Sequence, residues 1–257
     1  MKISEQAVLL LIDAVAALLC KKRIPVFFLF VLGYATRMEA TSYTWTNAGG
    51  DNLWSNAANW SPNGVPNSAS DDVTFDNTSS ANCTIDMATT TVQTLTTTAA
   101  YGGVISLGSN TLSWKNGFIV VTASQFNAGT GLVRVIGGAF GSPDPTFNTV
   151  ASFYNLEIAC GVGDSYVFLV KDVTVTNNLT ITTVSVQIWG SKTFFVGGNL
   201  ANNTNWSNNG INFRLNGTGT QTYSATVTLP ATLQIAKPSG HVQFNNNPPS
   251  VNVVSGV

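Results

Sequence analysis

The chain has 257 residues, a formal net charge of −1 and only 9% charged residues. Average soluble proteins carry roughly 25%, so no electrostatic footprint for nucleic acid is present. A single histidine, His241, argues against His-based metal sites and Ser-His-Asp catalysis. Asn, Thr, Ser and Gly supply the polar surface instead, which suits strands and turns rather than helices.

Residues 1–40 differ from the rest. Residues 7–20, AVLLLIDAVAALLC, are apolar apart from Asp13, and KKR follows at 21–23. Next comes IPVFFLFVLGYA at 24–35. A basic trio, a short apolar core and small residues at Gly33 and Ala35 form a secretory signal pattern. Cleavage after Ala35 fits the small-x-small rule, and cleavage after Ala40 is the alternative. The core is short for a membrane span, which needs about 20 residues. An uncleaved membrane anchor is the rival reading. The apolar run ahead of KKR is out of place in a signal peptide and points to a true start near Leu18 or Leu19. Without the leader, Cys83 and Cys160 remain. Export permits a disulfide between them, and two buried thiols are the slightly favoured alternative. No Cys/His spacing suggests zinc.

Residues 41–90 form a Trp/Asn-rich segment. Its centre, Asp51 to Phe75, reads DNLWSNAANWSPNGVPNSASDDVTF. As a binding site, Trp45, Trp54 and Trp60 would stack on sugar rings, while Asp71, Asp72 and Asp76 would hold calcium through oxygen ligands. As an irregular N-terminal cap, the indoles would cover the first coil and the Asn and Pro residues would end the sheet. The cap is favoured. Asp71-Asp72 lacks the D-x-D-x-D-G spacing of an EF-hand loop, and the Gly-Gly-x-Gly-x-Asp repeat is missing. No cofactor is expected, and calcium is the one candidate ion. The cap reading requires Trp54 and Trp60 to be buried.

After residue 41 no helical period is found and strand alternation recurs instead, with solenoid repeats expected over 91–257. VTVTNNLTI at 173–181 places Val173, Val175, Leu179 and Ile181 on one face. VSVQIW at 184–189 aligns Val184, Val186 and Ile188, and INFRL at 211–215 aligns Ile211, Phe213 and Leu215. Asn-Asn, Gly-Gly and Asn-Gly turns separate such runs. Short strands at close spacing predict an all-β sandwich, barrel or solenoid. Internal similarity favours the solenoid over the sandwich. The segment from Phe153 resembles that from Ala231, with Leu156 and Leu233 as counterparts. FNAGTGLVRVIGG at 126–138 resembles WSNNGINFRLNGTG at 206–219, which pairs Arg134 with Arg214. A unit of roughly 80 residues, three or four coils, is therefore expected, with the last repeat incomplete at Val257.

These runs carry a family resemblance. The segment from Tyr43 to Phe75 resembles the one that opens many bacterial secreted repeat proteins: W-T, a Gly/Asp turn, W, a-N-W, Gly-x-Pro, then D-D-V-x-F. FYNLEI, VTVTNNLTI, FFVGGNL and LNGTGTQTY resemble repeats of large bacterial surface proteins, among them autotransporter passengers and adhesin-like proteins. The resemblance implies a right-handed parallel β-helix, exported and displayed outside the cell, and it brings no catalytic residues. Members continue to a secretion or anchoring domain, so the chain is expected to be a truncated product or a fragment of a longer protein.

The expected function is thus an exported, non-catalytic, structural or adhesin-like β-solenoid at the bacterial cell surface or in the extracellular matrix. Its partners would be extracellular glycans or other surface proteins, and any membrane contact would run through the leader or the missing C-terminal domain. The alternative is a carbohydrate-binding or polysaccharide-degrading β-helix, a lyase or glycoside hydrolase. A glycosidase needs two neighbouring carboxylates. Asp164 with Asp172, and Asp72 with Asp76, are the least unsuitable pairs. Glu157 alternates with Leu156 and Ile158 and should point outward. Arg134, Arg214 and His241 read as solvated surface positions.

Overall fold

The computed structural model describes residues 40–137, 144–161, 165–182, 186–203, 208–225, 233–245 and 251–253. The expected leader, Asp164 and Val184 lie outside the described residues. Among the described residues no helix is long and apolar enough to cross a membrane.

From Ala40 the chain winds into an all-β solenoid of about seven turns. Each turn visits three faces. The first circuit runs through β3 (Asp72–Phe75) on the first face, β4 (Cys83–Thr84) on the second and the start of β5 (Thr89–Thr97) on the third. β5 bends at a register shift between Val92 and Thr94, so its second half rejoins the first face. β6 (Ile105–Ser106) and β7 (Thr111–Val120) repeat the circuit, and β7 likewise spans two faces. β8 (Phe126–Asn127) and β9 (Leu132–Val135) follow. From there each face has its own strand. The first-face strands are β10 (Thr146–Thr149), β13 (Ser165–Leu169), β16 (Val186–Trp189) and β19 (Asn208–Asn209). The second-face strands are β11 (Ser152–Phe153), β14 (Val173–Val175), β17 (Thr193–Val196), β20 (Asn212–Leu215), β22 (Leu233–Ile235) and β24 (Val251–Val253). The third-face strands are β12 (Asn155–Ile158), β15 (Leu179–Ile181), β18 (Leu200–Asn202), β21 (Gln221–Ala225) and β23 (Val242–Phe244).

All these pairings are parallel, which satisfies the backbone between coils about 4.8 Å apart. On the third face Leu156, Leu179, Leu200 and Tyr223 stack in register, so a coil advances 21 to 23 residues. Strand alternation turns one side chain in and the next out. Val173, Val175, Leu179, Ile181, Val186, Ile188, Ile211, Phe213 and Leu215 are all buried, as their phase requires. Each contributes roughly 1.5–3 kcal/mol by leaving water. Aromatic rings continue the core from coil to coil: Phe147 meets Phe194 edge-on, and Phe194 stacks on Phe213 at 5.4 Å and 8°.

The roughly 80-residue correspondence does not match the coil. Leu156 stands on the third face and Leu233 on the second. Arg134 lies in β9 on the third face and Arg214 in β20 on the second, so the two arginines form no common row. The short motif apolar-x-apolar plus glycine recurs on every face, and similarity between faces imitates a repeat.

Asparagine side chains tie the corner that enters the third face. The Asn155 Oδ1 accepts from Asn177 Nδ2 at 2.9 Å and from the Asn178 backbone at 3.4 Å. Asn178 Oδ1 accepts from the Asn199 N–H at 3.0 Å, and Asn199 Oδ1 from the Thr222 N–H at 2.7 Å. Each coil therefore fixes the turn of the next without using charge.

Candidate binding surfaces

The Trp-rich segment forms a closed end. β1 (Ser42–Trp45) pairs parallel with β3 and antiparallel with β2 (Trp60–Ser61), which brings Trp45 opposite Trp60. A two-residue antiparallel strand is a blunt edge that offers little to a further strand. Leu53 bridges to Thr84 under the second face, and Asn67 Oδ1 accepts from the Thr91 N–H at 2.9 Å under the third. All three faces are thus covered. Trp45, Trp54 and Trp60 are 0%, 0% and 3% exposed. Trp60 meets Trp45 at 4.9 Å and Trp54 at 4.7 Å, both edge to face, and all three surround Phe75. Every indole N–H is bonded: Trp45 to Ala81 O (3.2 Å), Trp54 to Pro66 O (2.8 Å), Trp60 to Trp54 O (2.8 Å). In this arrangement no indole face is open to a sugar ring.

The acidic residues of the segment are bonded separately, Asp71 and Asp76 within turns and Asp72 to a neighbouring strand. Asp71 is buried, and its Oδ2 accepts from the backbone of Asn67 and Ser68, both at 3.0 Å. Asp72 lies outward on β3 and accepts from Gln93 Nε2 at 3.3 Å. Asp76 accepts from the Thr78 N–H at 2.8 Å. Among the described residues no three His, Cys, Asp or Glu side chains come together as a metal site. Asp51 is bound by Asn59 (2.6 Å), Asn56 (2.8 Å) and the Leu53 N–H (3.1 Å). Hydrogen bonds hold its carboxyl below the usual carboxylate range, from the Leu53 backbone first and then from Asn59 and Asn56. The Thr78 hydrogen bonds do the same for Asp76. A general acid needs the opposite shift. Asp172 accepts from the Thr193 N–H at 2.8 Å. Glu157 does point outward and accepts from Arg134 Nε at 2.6 Å in the coil below. Cys83 and Cys160 are buried free thiols, and His241 is exposed.

Two features stand out that no single motif announces. One is a notch of about 430 Å³ on the second face, between β8 and β11. These strands belong to different sheets. The corner before the second face has seven residues ahead of β6 and five ahead of β8, but two ahead of β11. The coil tightens there, and the hydrogen-bond ladder breaks at the step. Phe126 and Phe153 line the notch with Asn127, Ser152, Tyr154 and Thr176.

The other is aromatic. Tyr166 and Phe168 point outward from β13, and Trp189 from β16, on the first face. Trp189 is 38% exposed, and its ring centroid lies 6.0 Å from Tyr166 and 6.3 Å from Phe168. The signal was present in VSVQIW: Val186 and Ile188 face inward, which puts Trp189 outward. In SYVFLV bulky residues occupy both phases, and alternation alone does not say which side is out.

No protein-family model, curated protein or solved structure matches the chain.

Proposed function

We propose that this chain is an exported, non-catalytic β-solenoid that serves as a stiff scaffold or adhesin-like module at a bacterial cell surface or in the extracellular matrix. The observation that carries the reading is the build of the outward rows. On the third face Thr91, Ser113, Arg134, Glu157, Thr180, Ala201 and Ser224 align coil above coil. One ion pair stands in a run of short neutral side chains, and such a flat, repetitive surface suits contact along a length rather than chemistry at a point. The leader-like residues 24–35 and the resemblance to autotransporter passengers and adhesins support export. The carboxylates of Asp51 and Asp76, held ionised by turn hydrogen bonds, support a non-catalytic role.

The test is fractionation of a bacterium expressing the chain with a C-terminal tag. The tag should appear in the medium or on the protease-accessible surface, with a mature N-terminus at Thr36 or Thr41. Recovery of an uncleaved chain from the cytoplasm overturns the reading. The carbohydrate-binding alternative is favoured by one observation, the aromatic cluster on the first face.

A further inference from the structure

We propose that Tyr166, Phe168 and Trp189 form a platform that binds a neutral polysaccharide by stacking against its sugar rings. The three rings occupy two adjacent coils. Tyr166 and Phe168 stand two residues apart on one strand, about 6.6 Å, and Trp189 lies directly across from Phe168. The patch therefore exceeds one pyranose ring and fits successive sugars of a chain.

The neighbours leave it open. The row that holds Phe168 and Trp189 starts at Ser42 and Asp72 and reaches the rings through Thr94, Gly117 and Thr146; these last three are small, so the rings rise above the sheet beside them. The outward Phe195 on the second face shows the contrast: the Arg214 guanidinium lies over its ring at 5.3 Å. No cation covers the first-face rings among the described residues.

The residues paired with Tyr166 and with Phe168 on the flanking strands are neutral and polar. Gln187 pairs with Tyr166 across the strands, and its amide bonds to no other described residue. Thr146 pairs with Phe168. Aromatic faces carry partial negative charge and attract the C–H groups on a sugar's flat side, while amide and hydroxyl groups at the edge can bond its hydroxyls. Without a cationic side chain in the row, the platform has nothing to pair with an acidic sugar.

Area argues against a protein occupant. Three partly exposed rings offer less than about 300 Å², whereas a stable protein interface needs about 800 Å² per partner. A polysaccharide needs only a ring or two at each site and gains from many sites along one chain.

This inference relies on the exported-scaffold reading only for where the glycan is met. Binding by the purified full chain is decided separately from its localisation. Affinity gel electrophoresis is the test, with hydroxyethylcellulose, xyloglucan or galactomannan in the gel and polygalacturonate as the charged comparison. At least one neutral polymer should retard the chain, with or without EDTA. Trp189→Ala should weaken binding about tenfold, while Trp189→Tyr should largely preserve it. Both changes lie outside the core, and unchanged circular dichroism confirms the fold. Retardation by no neutral polymer, retardation by polygalacturonate alone, or binding unaffected by Trp189→Ala each overturns the proposal. So does sedimentation as a dimer that Trp189→Ala dissociates, because the occupant is then a second copy.

Discussion

The indole N–H of Trp60 donates to the carbonyl oxygen of Trp54 at 2.8 Å, and the two rings meet edge to face at 4.7 Å. The contact joins two sides of the cap over the first coil. Trp60→Ala should cost about 3–5 kcal/mol through lost burial and the cavity left behind. Trp60→Phe keeps most of the volume but leaves the Trp54 carbonyl without its partner, at about 1–3 kcal/mol. Urea unfolding followed by circular dichroism measures both. A Trp60→Phe cost near zero would mean that the hydrogen bond contributes nothing, and equal costs would mean that the lost volume contributes nothing.

Gly217 and Gly197 meet at one corner of successive coils. A Cβ on Gly217 would strike the Gly197 carbonyl oxygen, a backbone atom that cannot step aside. Gly217→Ala should therefore destabilise by about 1–3 kcal/mol, the usual range for overpacking. Gly219, two residues on, has open space around it, and Gly219→Ala is the control, expected to lie within about 0.5 kcal/mol of the parent. Thermal unfolding of the pair separates backbone crowding from general loop sensitivity.

Arg134 and Glu157 sit one above the other on the third face, with Nε and Oε2 2.6 Å apart and side chains 40% and 18% exposed. Solvent screens the pair, and a double-mutant cycle with Arg134→Ala and Glu157→Ala should give a coupling of about 0.2–1 kcal/mol. The coupling should shrink in 1 M salt, where the screening length is about 3 Å. A coupling above 2 kcal/mol would mark the pair as a structural clamp.

Much of the fold was legible because an inward row requires one phase of each strand to be apolar. Leu179 with Ile181, and Phe213 with Leu215, declare that phase without help from tertiary structure. The burial of Trp45, Trp54 and Trp60 was legible for a related reason: three tryptophans between Asn and Pro turns supply more apolar bulk than a strand can use. Coil length was not. It is set by the corners, and corners of two to seven residues shift the spacing enough to align Leu156 with the wrong face. The notch between β8 and β11 comes from the same corners. The platform was half legible: Trp189 follows from the phase of Ile188, but Tyr166 and Phe168 needed the register of β13 on β16.

Burial raises the thiols of Cys83 and Cys160. Cys160 is pushed up from 9.0 to about 12. Cys83 is raised well above 9.0 by burial first and then by the Asp86 carboxylate. Between those values the unfolded chain has released its thiol protons and the folded chain has kept them. The unfolded state then binds fewer protons, so stability falls as pH rises. The contribution is complete below pH 9 and is lost progressively towards pH 12. Tyr101, raised by burial and then by Cys83, adds to the loss above pH 10, so the informative quantity is a difference between chains. Urea midpoints at pH 8, 10 and 11 should decline more steeply for the parent than for Cys83→Ala/Cys160→Ala. A thiol reagent at pH 8 should label neither Cys83 nor Cys160 in the folded chain and both of them in urea. Parallel alkaline slopes for the two chains, or rapid labelling of the folded one, would show that these thiols are not sealed in the core.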